Sequence, residues 1–151
     1  MRAAAVTQHA CIRYITRHAL DLAPGLVRIG TSDDGDGIYA PPPASAIRIA
    51  RNRLEAAAPT ARCMRCATHT GMPYWWLGAL GIYVVAEDVR GILRMVTVLP
   101  RNTTINGVRI SLVTPDELDA MASEGWLADA ANNTGGDRAI NKVPVAARGG
   151  A

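Results

Sequence analysis

His9, Arg13 and Arg17 stand four residues apart in the stretch TQHACIRYITRH. Residues spaced by four are neighbours on a helix, so the three would fall into one strip about two turns long. Imidazole titrates near neutrality and can give or take a proton at physiological pH. A guanidinium one turn away can grip a phosphate through two N–H bonds and stabilise charge that develops on it. Such a set suits cleavage of an RNA phosphodiester, in which the 2′-hydroxyl is the nucleophile and the protein supplies base, acid and anion clamp. A plainer alternative is the solvated side of an ordinary helix. Basic groups in a row repel one another by only a few tenths of a kcal/mol per pair, which water can relieve.

The elements that would position this strip can be read from spacing. Residues 8–22 predict a first helix: Thr7 caps it, and Ile12, Ile15, Ala19 and Leu22 form an apolar stripe nearly opposite the basic strip. A short strand is expected from Leu26 to Ile29, followed by the loop TSDDGDG. In APPPASAIRIARNRLEAAAP a second helix is capped by Ser45 and stopped by Pro59, with Ile47, Ala50, Leu54 and Ala57 inward and Arg48, Arg51 and Arg53 off the stripe. Residues 60–73 carry no assignable pattern. Ile82–Ala86 and Ile92–Leu99 predict a hairpin around the loop EDVRG, and Val108–Val113 a further strand. TPDEL opens a last helix, with Thr114 as cap, Pro115 at the first position and Glu117 closing a capping box. The expected fold is therefore α+β: N-terminal helices on a small curved antiparallel sheet, plus a C-terminal helix. One domain is expected over residues 1–131, with 114–131 an acidic helix region and 132–151 a disordered tail.

HACIRYITR resembles the opening H-A-x-x-R-M-x-x-R of a family of small bacterial domains within the barnase–EndoU–colicin–RelE-like group of ribonucleases and toxins. His9, Ala10, Arg13 and Arg17 match its positions, with Tyr14 where Met is usual. Those domains close with a hairpin whose last strand reads roughly vvTvyp, and LRMVTVLP is similar, with Thr97 at the polar position. The resemblance implies one or two helices packed on a curved sheet and metal-independent RNA cleavage as the activity. On that reading His9, Arg13, Arg17 and Thr97 are catalytic, while Arg101, Arg94 and Arg51 bind substrate. Strand alternation puts Arg94 and Thr97 on opposite faces unless a bulge intervenes, and favours Arg101 as the phosphate contact beside Thr97.

Two other clusters invite chemistry. Cys63, Cys66 and His69 in CMRCATH have spacing that could meet a zinc ion, although no second pair supplies a fourth ligand. Buried structural thiols are the simpler expectation, with no metal and no cofactor. Tyr74, Trp75 and Trp76 could stack on unpaired bases; as core residues, Trp76 is the one expected to be buried.

The charge pattern points to a polyanionic partner. Net charge is +3 over 151 residues, and every basic residue except Lys142 is Arg. Nine arginines against three acids lie between Pro41 and Val113, whereas Thr114–Asp137 holds six acids and no base. RNA, or an acidic neutralising protein, suits the basic part. The longest apolar run, YWWLGALGIYVVA, is too short for a transmembrane helix, and an odd cysteine count argues against a disulfide framework. A reduced, cytoplasmic protein is expected, with no membrane association. The competing functional class is a non-catalytic nucleic-acid- or protein-binding module, of the kind carried by phages and mobile elements.

Overall fold

The computed structural model describes residues 3–33 and 37–123, and it is α+β. In chain order the elements are β1 (Ala3–Val6), α1 (Gln8–His18), β2 (Arg28–Thr31), β3 (Gly37–Tyr39), α2 (Ala44–Ala57), β4 (Ala61–Ala67), β5 (Pro73–Leu77), β6 (Ile82–Val89), β7 (Ile92–Val98), β8 (Thr104–Ile105), β9 (Val108–Arg109) and α3 (Pro115–Ser123). Five strands form one sheet in the order β1–β7–β6–β5–β4, and β2–β3 and β8–β9 are separate pairs. The chain groups into two compact units, Met1–Arg62 with Trp75–Pro100, and Cys63–Tyr74 with Arg101–Ala151. The expected tail at 132–151, and the part of the acidic region beyond 123, lie outside the described residues.

In the first unit the two helices cover one face of the sheet. Ala10, Cys11, Tyr14 and Ile15 of α1 and Ala46, Ala50, Leu54 and Ala57 of α2 are buried. They share a core with Trp75 and Leu77 of β5, Ile82, Val84 and Ala86 of β6, and Leu93, Met95 and Val98 of β7. Small side chains on both helices bring their backbones close to each other and to the sheet. Thr7 caps α1 as its sequence implies, accepting from the Ala10 N–H at 3.1 Å, and the helix ends at His18, where a short 3-10 turn (Leu20–Leu22) follows. The N-cap of α2 is Pro43, two residues before the expected Ser45, and the helix begins at Ala44.

The sheet is mixed rather than antiparallel, because β1 runs parallel to β7, pairing Ala3 with Ile92 through Val6 with Met95. The β6–β7 turn is also tighter than the five-residue loop expected. Arg90 and Gly91 occupy positive φ (55° and 84°), the signature of a two-residue I′ turn, and pairing extends to Val89–Ile92. The exposed Asp88 carboxylate reaches into the turn, accepting from the Gly91 N–H at 2.8 Å.

In the second unit Asn106 and Gly107 make another two-residue turn (φ 52° and 80°) between β8 and β9. The strand expected over Val108–Val113 is thus a two-residue strand followed by a 3-10 turn at Ile110–Leu112. Helix α3 starts with the anticipated capping box: the Glu117 carboxylate accepts from Thr114 N–H at 2.8 Å, and Thr114 Oγ1 accepts from Glu117 N–H at 3.1 Å. No described helix is long and apolar enough to cross a membrane.

Candidate functional site

The basic strip on α1 is present, but it is not straight. Four residues overshoot one turn by about 40°, so the strip winds round the helix as it climbs. His9 is exposed opposite the packed face, Arg13 is half-buried, and Arg17 has reached the flank of the helix beside β7.

That flank has a structural task. Strand β1 ends at Val6, opposite Met95, so no strand lies beside the later carbonyls of β7 on that side. The helix supplies their partners instead. Thr7 N–H donates to Met95 O at 3.2 Å and Thr7 Oγ1 to Val96 O at 3.1 Å. Arg17 Nη1 donates to Val98 O at 2.6 Å, and His18 Nε2 to Leu99 O at 2.6 Å, with the His18 ring stacked on Tyr14 at 6.3 Å. A half-buried carbonyl left without its charged donor costs about 1–3 kcal/mol. An Arg17→Leu protein is therefore expected to lose about that much unfolding free energy in urea titrations, and Arg17→Lys to recover part of it. His18 was not singled out from the sequence; its place one turn beyond Tyr14 was the available signal.

Thr97 does not join the strip. Pairing runs Val85–Thr97 and then Ala86–Met95, which leaves Val96 as an extra residue in β7. The bulge turns Val98 back to the core side with Leu93 and Met95, so Thr97 and Arg94 share the opposite face. Helix α1 packs on the core side, which places the Thr97 side chain across the sheet from His9. Arg94 is engaged on that far face, with Nη1 2.7 Å from Glu87 Oε2 in an exposed cross-strand pair. Arg101 is an exposed turn residue of the second unit. Thus the catalytic group expected from His9, Arg13, Arg17 and Thr97 is not assembled, and Arg94 is not brought to it.

What the structure does gather is charge on the helical layer. Between them α1 and α2 carry Arg13, Arg17, Arg48, Arg51 and Arg53 against a single acid, Glu55. Arg48 and Arg53 are exposed. Arg53 hydrogen-bonds the side chain of Tyr14, a buried residue of α1, and so links the two helices. Arg51 is half-buried, its Nε 3.4 Å from Val6 O, and its charge is felt by the Cys11 thiol between the helices. Partial desolvation, then Arg13, then Arg17 hold the His9 imidazole below its ordinary value, so it is neutral at pH 7.

The cysteine cluster makes no metal centre. Cys63 and Cys66 are three residues apart on β4, hence on opposite faces, one exposed and one buried. Burial pushes the Cys66 thiol up to about 11, far from the thiolate that a metal requires. His69 is exposed in the turn after β4, and among the described residues no three His, Cys, Asp or Glu side chains are placed to hold an ion. The tryptophans also reverse the expected order. Trp75 is the buried one, at 6% exposure, with Nε1 donating to Ala86 O at 3.1 Å. Trp76 turns to the other face and packs on Tyr83 at 4.8 Å.

Comparison with protein-family models, with curated proteins and with solved structures finds no match for this chain.

Proposed function

We propose that this chain is an RNA-binding domain that holds the phosphate backbone on the outer surface of its two helices. The observation that carries the reading is an imbalance of charge on two helices packed side by side over the same sheet face: five arginines against one glutamate, with Arg48 and Arg53 exposed and Arg13 half-buried, while Arg17 and Arg51 donate to backbone carbonyls. Guanidinium groups suit phosphate oxygens because their N–H donors lie in a planar fork. RNA is preferred to other polyanions because HACIRYITR and LRMVTVLP resemble blocks of the RelE-like ribonuclease group. A cytoplasmic setting fits three cysteines that are all free thiols.

RNA cleavage is the second reading, favoured by one observation: a neutral, exposed His9 one turn from Arg13 has the form of a general base beside an anion clamp. A single experiment separates the two. Purified protein is mixed with labelled single-stranded RNA in chelator at rising salt, and bound RNA and 2′,3′-cyclic phosphate ends are both measured. The binding module is expected to give salt-sensitive association that survives His9→Ala and leaves the RNA intact. Cyclic phosphate ends that vanish with His9→Ala would replace it with the ribonuclease, and salt-independent or absent association would remove both.

A further inference from the structure

We draw no further inference here: the strongest candidate, the apolar cleft in the first unit lined by Pro24, Leu26, Val27, Pro41 and Pro43 beside the exposed Ile29 and Ile38 of β2 and β3, carries none, because nothing in the structure shows what covers it.

Discussion

The Arg13→Ala/Arg48→Ala/Arg53→Ala protein is expected to bind single-stranded RNA at least tenfold more weakly than wild type at moderate salt. Each arginine that neutralises a phosphate releases counterions, and for a single strand each adds about 0.7 to the slope of log affinity against log salt. If all three make such contacts, the slope should fall by roughly 2. The loss should be nearly independent of RNA sequence, because phosphate contacts position the strand without reading it. Arg48 and Arg53 are exposed, so removing their charge should leave the fold intact apart from the Arg53–Tyr14 bond. An unchanged circular dichroism spectrum is the control. Wild-type affinity and slope in this variant would show that RNA, if bound, lies elsewhere. Arg17 is left out of the triple variant because its guanidinium serves the Val98 carbonyl and its removal would confuse binding with stability.

The largest expected loss of stability is at Trp75. Its ring fills the layer between sheet and helices, and its Nε1 bonds the Ala86 carbonyl. Trp75→Ala would empty that volume and strand the carbonyl at once, at a cost of about 3–5 kcal/mol. Native domains are stable by about 5–15 kcal/mol, so this single change could take most of the margin. Trp76→Ala is expected to cost clearly less, since Trp76 is half-buried and packs chiefly on Tyr83. Chemical denaturation of the two variants side by side checks the ranking, and a costlier Trp76→Ala would mean the register of β5 is wrong.

Much of the local structure was legible in the sequence because short-range chemistry decides it. Thr7 and the Thr114–Glu117 pair cap their helices with side-chain atoms no more than three residues away. The apolar spacing of Ala50, Leu54 and Ala57 marks the packed face of α2 wherever that helix docks. The β-branched runs on either side of Arg90–Gly91 pair with each other once the turn closes. The Asn106–Gly107 turn is legible too, since Asn-Gly between apolar residues is among the strongest short hairpin signals.

The remainder depended on contacts far apart in the chain. AAAV has no strand signal of its own; it becomes β1 because β7 offers it a ladder about ninety residues away. The bulge at Val96 appears only when β7 is aligned with β6, and that one extra residue sends Thr97 to the side of the sheet away from His9. Which of two adjacent tryptophans is buried follows from the parity of β5, set by its neighbours and not by the residues themselves.

The sequence by itself determined the basic character of the helices, where their caps fall and the α+β class, since each is a property of neighbouring residues. Only the tertiary structure decided that Arg17 and His18 serve the open side of β7 and that Thr97 faces away. The physical reason is that a side chain's partner is chosen by strand register and helix docking, which no local pattern encodes.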